Sequence, residues 1–227
     1  ENDGLLLAAH ADTLGAMVHT IKGNGRLKLT SLGGMNPNNA ETENVRVYTR
    51  DGKVIEGTCQ LSNASVHVNG DYSSAKRTWD SVEIVLDEDV KSAADAKKLG
   101  IRNGDLIAIE PRFEVTPSGF VKSRFLDDKA AVACVFTMLK YMTEQGLKPK
   151  YRTVIGFTYM EEVMLGGNYM PPEVCEAVAL DIGCIGPDQD GTEYGVSICA
   201  YDNNGPYNWE LTTRLVNLAE KLGCDYA

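Results

Sequence analysis

Residues 5–12 read LLLAAHAD, a short apolar run that ends in a histidine and an aspartate. A continuous apolar run of this length is typical of a strand that is buried on both faces of a parallel sheet. In an open α/β sheet the carboxyl ends of such strands meet at one crevice, which is where ligands bind. We therefore predict that His10 and Asp12 lie at a ligand-binding crevice.

Three other apolar runs are followed directly by acidic residues. These are Asp127-Asp128 after Phe125-Leu126, Glu161-Glu162 after residues 154–160, and Asp181 after residues 177–180. If all these runs end at one edge of the same sheet, six carboxylates and an imidazole share one crevice. Carboxylates so close together repel one another strongly unless cations lie between them. The pattern predicts a metal site, and the number of acids favours two ions.

The composition is that of an ordinary globular protein, with 227 residues of which 43% are hydrophobic and 24% charged. The formal net charge of -10 argues against nucleic acid or an anionic membrane as a partner, because both require a basic surface. No apolar run approaches the roughly 18 residues of a membrane span, and no signal peptide is visible. The six cysteines lack CxxC spacing, which predicts a reduced, cytoplasmic chain.

The residue pattern of the sequence is different between about residues 21 and 115. Short β-rich segments alternate there with Gly and Asn turns, and Asp51-Gly52 is a strong hairpin signal. We predict a β-barrel-like module, with one short helix from Val90 to Leu99. This module interrupts an α/β domain that comprises residues 1–20 and 116–227.

The α/β pattern resumes after the module. Apolar residues at i, i+3 and i+4 predict a helix from Asp127 to Gly146 that packs one face on a sheet. A strand is predicted at residues 152–160, another ends at Asp181, and a last helix starts near Pro206. A doubly wound sheet would normally continue with further strands, so we expect the domain to be incomplete at its C-terminal end.

Each acidic motif, taken alone, also has a purely structural explanation. A Glu-Glu pair is usually a solvated loop, an Asp pair before a helix interacts favourably with the helix dipole, and an aspartate after an apolar run caps many turns. His19 and His67 lie in or beside the module and are predicted to be structural. Glu161 and Glu162 directly follow a strand that is predicted to be buried, and this context favours a catalytic role. One carboxylate can ligate a metal while its neighbour takes a proton.

Other hydrolase and nucleotide-binding chemistries fit the sequence less well. It contains no GxSxG elbow, no P-loop and no HExxH helix. A glycosidase could use two of the carboxylates, but it would leave His10 and the remaining acids unexplained.

Four short segments carry a resemblance to a known family, namely HADTLG at 10–15, FLDDKA at 125–130, EEV at 161–163 and LDI at 180–182. Their order and spacing resemble the motifs of the dinuclear M42 metallo-aminopeptidases, which include the glutamyl and the tetrahedral (TET) aminopeptidases. The resemblance covers nearly the whole chain. It implies a three-layer α/β/α sandwich catalytic domain, incomplete at both ends, with an inserted β-barrel-like domain that serves dimerisation.

The resemblance assigns metal-binding roles to four residues, namely His10, Asp127, Glu162 and Asp181. It implies that His10, Asp127 and Asp181 hold one ion. Asp127 and Glu162 would hold the other, so that Asp127 bridges the two ions, with a cis peptide bond to Asp128. Glu161 would be the general base and Asp12 the support for His10, both counted as catalytic.

The implied activity is the removal of N-terminal residues from peptides. A metal-bridging water, whose pKa two cations lower, attacks the peptide bond while Glu161 takes its proton and passes it to the leaving amine. Zinc or cobalt suits mixed imidazole and carboxylate ligands. The resemblance also implies peptide substrates and a cytoplasmic homo-oligomer, in which dimers assemble to a dodecamer, with no nucleic acid or membrane partner.

Several positions depart from the family pattern. The second ion of the family also needs a histidine from a segment beyond residue 227, and no histidine follows His67 here. Lys129 stands where Arg is usual, Thr13 where an acid is common, and Met164 where Gly is common. Two alternatives stay open: a self-assembling homologue with a degenerate metal site, and a related metal hydrolase that acts on a non-peptide substrate. The presence of both acids at 161–162 favours an enzyme.

Overall fold

A computed structural model describes residues 3–227 of the chain. The chain divides into two units, one that ends at Ala179 and one that spans Leu180–Ala227. The first unit contains a parallel sheet, a long helix and a closed barrel, and the second a small hairpin and a helix.

The helices and strands of the first unit follow one another in a βαβ order that the barrel interrupts. In chain order they are β1 (Gly4–His10), β2 (Gly15–Ile21), β3 (Leu27–Leu32), β4 (Asn44–Tyr48), β5 (Val54–Leu61), β6 (Val82–Leu86), α1 (Ala93–Lys98), β7 (Leu106–Ile109), β8 (Glu114–Val115), β9 (Val121–Lys122), α2 (Leu126–Glu144), β10 (Thr153–Thr158) and β11 (Val174–Ala179). Short 3-10 helices occupy Pro37–Asn39 and Glu161–Val163.

The apolar run at the start of the chain is the central strand of the parallel sheet, whose order is β10-β1-β11. His10 pairs with Thr158, and Ala8 pairs with Ala179. The three strands therefore finish at the same edge, as the sequence predicts. The residues that follow each strand start from this edge, which places the candidate site.

Helix α2 packs on the sheet, and the ring centroids of Phe136 and Phe157 lie 5.2 Å apart. The helix predicted from Asp127 to Gly146 is confirmed to within two residues at its C-terminal end. Its N-terminal end is irregular, because Phe125 is left-handed and Asp127 and Asp128 have non-helical dihedral angles. The regular helix therefore starts only after the two aspartates.

The module between β1 and α2 is a closed antiparallel barrel of six strands in the order β2-β3-β6-β5-β4-β7. The predicted hairpin is present, since β4 and β5 pair around Asp51-Gly52. β-Branched and aliphatic side chains fill the interior, among them Val18, Leu27, Val47, Ile84 and Ile107. The prediction of an α/β domain with a barrel-like insertion is confirmed.

The barrel strands run from Gly15 to Ile109, and the first and last of them, β2 and β7, are hydrogen-bonded neighbours. The predicted limits of the inserted domain, residues 21 and 115, remain a prediction. The short helix predicted at Val90–Leu99 forms at Ala93–Lys98, because the Ser92 side chain caps it by accepting a hydrogen bond from the backbone N–H of Asp95.

The second unit contains β12 (Tyr201–Asp202), β13 (Gly205–Pro206) and α3 (Trp209–Leu222). The helix predicted to start near Pro206 starts at Trp209, since Asn208 caps it through a 2.9 Å hydrogen bond from the backbone N–H of Leu211. Tyr207 Oη donates to Asp202 Oδ2 over 2.7 Å, and this bond raises the pKa of Tyr207 to about 12.

Within residues 3–227, no helix combines the length and the apolar character that crossing a membrane requires.

Candidate metal centre

His10, the last residue of the central strand, is buried with its ring fixed on both sides. Its backbone N–H donates to Asp128 Oδ2 over 2.9 Å. Ring atom Nδ1 lies 3.2 Å from the Asp12 carbonyl oxygen and 3.4 Å from Asp12 Oδ1. The other ring nitrogen, Nε2, lies 2.9 Å from Asp127 Oδ1. If Nδ1–H donates to Asp12, Nε2 is the ring nitrogen that can bind a metal ion.

Asp127 and Asp128 point in different directions, although they are adjacent. The peptide bond between them is cis, as the resemblance implies. Asp128 is buried and holds the backbone of His10. The Asp127 side chain is 39% exposed and faces the His10 ring. Asp127 is therefore the member of the pair that is available as a ligand, and Asp128 is structural.

Glu161 and Glu162 lie on a single 3-10 turn that is separated from the end of β10 by two residues. The Asp12 carboxylate holds this turn, since Oδ1 accepts the backbone N–H of Glu161 and Oδ2 that of Glu162, each over 3.2 Å. Glu161 Oε2 lies 3.6 Å from His10 Nε2. Asp12 thus connects the imidazole to the acidic turn, a role that the sequence alone does not indicate.

The electrostatics of the cluster favour a cation. Burial raises the pKa of Glu162, and the charge of Asp127 raises it further. Asp12 and Glu161 act in the same direction, while His10 opposes them. A raised carboxyl pKa means that the ionised form is disfavoured where it stands. A bound cation would reverse this cost.

The donor set fits a zinc-like or cobalt-like ion. Imidazole nitrogen and carboxylate oxygen are ligands that these metals accept. Two ligands about 2.0–2.2 Å from one ion lie about 3–3.5 Å from each other. The separation of 2.9 Å between His10 Nε2 and Asp127 Oδ1 is close to that range, so the two side chains are placed to share one ion.

Asp181 belongs to the second unit and follows the last residue of β11 by two positions. Its Oδ1 accepts the backbone N–H of Ile182 over 2.6 Å. In the first unit the structure brings together five predicted site residues, namely His10, Asp12, Asp127, Glu161 and Glu162. Their individual roles stay predictions.

The residues outside the cluster are also informative. His19 lies in β2 and His67 between β5 and β6, and both are exposed. Lys129 donates from Nζ to the carbonyl oxygen of Ala11 over 3.2 Å. This bond connects the start of α2 to the segment between His10 and Asp12.

Met164, at a position where the resemblance leads us to expect Gly, is left-handed with φ 63° and is 79% exposed. An L-residue in the left-handed conformation destabilises the folded state by about 1–2 kcal/mol. Glycine avoids this strain, but it loses more conformational entropy on folding, which offsets part of the gain. We expect Met164→Gly to raise the free energy of unfolding by about 0.5–1 kcal/mol in urea titrations. Leu165→Gly, at a neighbouring residue without positive φ, should lower it. A decrease in both variants would contradict the prediction.

Comparison with known sequences identifies a family. The sequence profile described as M42 glutamyl aminopeptidase matches residues 1–227. The chain is 44% identical over 222 residues to the putative aminopeptidase YhfE of Bacillus subtilis, which covers 97% of this chain and 64% of that protein. It is 27% identical over 164 residues to the glutamyl aminopeptidase of Lactococcus lactis, covering 72% of this chain and 45% of that protein. The chain thus spans less than two thirds of the length of both relatives.

Solved structures of similar fold include TET peptidases. One is the TET aminopeptidase of a marine sediment archaeon (Thaumarchaeota archaeon SCGC AB-539-E09), with a TM-score of 0.85 and 22% identity over 99% of this chain and 65% of that chain. Another is the TET1 peptidase of Pyrococcus horikoshii, with a TM-score of 0.80 and 24% identity over 100% of this chain and 68% of that chain. The latter is described as able to assemble into a tetrahedron or a large octahedral shell. At this identity the likeness shows the fold.

Proposed function

Because the chain belongs to the M42 glutamyl aminopeptidase family, we propose that the protein is a metal-dependent aminopeptidase that releases N-terminal residues from peptides. One observation carries the proposal. The Nε2 atom of His10 lies 2.9 Å from Asp127 Oδ1 and 3.6 Å from Glu161 Oε2. Two candidate metal ligands, His10 and Asp127, therefore lie beside a candidate general base, Glu161. This is the arrangement that metal-assisted hydrolysis needs.

We propose two divalent ions, zinc or cobalt, and four ligands, namely His10, Asp127, Glu162 and Asp181. Asp127 would bridge the ions. The 2.9 Å contact with His10 supports Asp127 as a ligand, and the charge coupling between Asp127 and Glu162 supports a second ion between them. For Asp181 the support is its position in the chain, two residues after a strand that pairs with β1.

The residues of the chain would divide the chemistry between them. Divalent ions, when bound, lower the pKa of water and polarise a carbonyl group. Glu161, whose side chain is 44% exposed, would take the proton of the attacking water and deliver it to the leaving amine. Asp12 would hold the His10 ring in the tautomer that presents Nε2, and would hold the acidic turn through its two backbone N–H groups.

We propose that the protein self-associates, as the TET1 peptidase of Pyrococcus horikoshii is described as doing. In this proposal residues 1–20 and 116–227 form the catalytic domain. Residues 21–115 form the domain that joins copies into dimers, and the dimers assemble into a cytoplasmic dodecamer. Light scattering on the intact gene product, compared with a form that lacks the barrel, would give the particle mass that tests this.

The function is tested with a panel of aminoacyl-p-nitroanilides and the intact gene product. We expect p-nitroaniline release that stops on chelation and returns with zinc or cobalt. The matched control is the same substrate with an acetylated α-amine, which an aminopeptidase should not cleave. The ranking of the released residues would supply the substrate preference. Absence of release with either metal, from folded and assembled protein, would leave a degenerate scaffold or a hydrolase of non-peptide substrates.

A further inference from the structure

The loop after β3 brings the barrel backbone into contact with the acidic turn of the metal centre. The contact is at Gly33, which is left-handed with φ +79°. A Cβ atom placed there would lie 2.4 Å from Leu14 Cδ2, 3.1 Å from the carbonyl oxygen of Glu162 and 3.3 Å from Glu162 Cβ. Both the conformation and the space therefore require glycine.

Leu14 and Glu162 differ in how far they can yield to a larger residue at this point. The Leu14 side chain packs against the barrel core, which limits its movement. The atoms of Glu162 nearest to Gly33 are its carbonyl oxygen and Cβ, so they move only if the turn moves. A larger residue at Gly33 therefore presses on the backbone of Glu162 as well as on the Leu14 side chain.

The other sides of the turn are also fixed. The Asp12 carboxylate accepts the backbone N–H groups of Glu161 and Glu162. Behind the turn, a Cβ atom at Gly166 would lie 3.2 Å from both Cα and Cβ of Glu161. The turn therefore lies between the chain after β1, its own following loop and the barrel, and Gly33 is a contact that the barrel contributes.

We propose that Gly33 is a positioning residue, through which the barrel sets the place of the Glu162 carboxylate at the metal centre. The inference rests on the proposed function, because it takes Glu162 as a ligand. Metal–ligand distances hold to about 0.2 Å, so a backbone shift of a few tenths of an ångström at the turn weakens binding. Replacing a residue that orients a ligand by a hydrogen bond typically changes metal affinity by about 10–100-fold, and we expect an effect of that size from a displaced ligand backbone.

The test is a Co²⁺ titration of the metal-free intact gene product, followed by visible absorption. Gly33→Ala should raise the Kd for Co²⁺ by about 10-fold or more. Gly52→Ala is the matched control, because Gly52 has φ +83° in the same barrel and nothing within 4 Å of its added Cβ. Its φ is similarly positive, so Gly52→Ala should lose stability but keep its Co²⁺ affinity. Gly34→Ala, next to the contact and in open space, should change neither.

Equal Co²⁺ affinities for Gly33→Ala and Gly52→Ala would overturn the proposal. If Gly33→Ala does not fold, the double variant Leu14→Ala/Gly33→Ala relieves the 2.4 Å contact and keeps the one with Glu162, and it should still bind Co²⁺ about 10-fold more weakly. Glu162→Gln in the same titration distinguishes a failure of the proposed function from a failure of the positioning role. No loss of affinity in Glu162→Gln would refute the ligand assignment of the proposed function, and the positioning role with it. A loss in Glu162→Gln without one in the Gly33 variants would refute the positioning role alone.

Discussion

Replacing Glu161 by glutamine is expected to lower the kcat of peptide hydrolysis by about 10²–10⁴-fold, the range that general-base catalysis contributes. Glutamine keeps the size of the side chain and cannot accept a proton. The backbone N–H of residue 161 still donates to Asp12, so the turn and its neighbour Glu162 should stay in place. The metal content of the variant should therefore equal that of the unmodified protein.

The measurement pairs the kcat of Glu161→Gln with its metal content after dialysis. Glu162→Gln is the informative comparison, because it changes the adjacent residue of the same turn and should lose metal as well as activity. Glu88→Gln, at an exposed barrel position, should change neither quantity. If Glu161→Gln kept more than about a tenth of the activity, the general base would have to be another residue. If it lost metal, Glu161 would be a ligand.

Asp127→Asn should have an equally large effect for a different reason. A carboxylate can bridge two cations through its two oxygens, and a neutral amide binds each of them less strongly. The variant should lose metal ions and at least about 10³-fold in kcat, since each bound ion supplies several kcal/mol of charge stabilisation to the transition state. Nearby His10 keeps its contact with Asp12, so the fold around the ring should persist.

Metal content per chain, measured after dialysis, decides this prediction together with kcat. Asp71→Asn, an exposed aspartate of the barrel, is the control for loss of a carboxylate as such. Retention of two ions per chain in Asp127→Asn would remove Asp127 from the bridging position. Loss of one ion would show that Asp127 serves a single metal.

The parts of the site that the sequence predicts are those encoded locally. The apolar run before His10 and the placement of acids after successive strands follow from the pattern of β1 and β10, because parallel strands end at a common edge. The glutamate pair after β10 needs no tertiary information beyond that. The family resemblance adds the cis bond at Asp127, which the structure contains.

What the sequence does not predict depends on contacts between distant segments. The carboxylate of Asp12 holds a turn that starts at Glu161, and no local pattern joins the two residues. Gly33 looks like an ordinary turn glycine until the barrel is docked beside Glu162. The short α1 helix is a smaller case, since it starts after its cap at Ser92 and not at Val90 as predicted.

The adjacency of β2 and β7 has a consequence for folding. Ala16 of β2 pairs with Ile107 of β7, although the two residues are distant in sequence. Once these strands pair, the segment that leaves the barrel lies beside the segment that enters it. For the sheet, a closed barrel acts as a short connection between β1 and α2. Loop-closure entropy depends on the length of flexible chain, with about 0.6 kcal/mol for each doubling, and contacts between nearer segments form faster. A barrel that closes first therefore lowers the entropic barrier to the pairing of β1 with β10, and the folding rate of the sheet should follow the stability of the barrel.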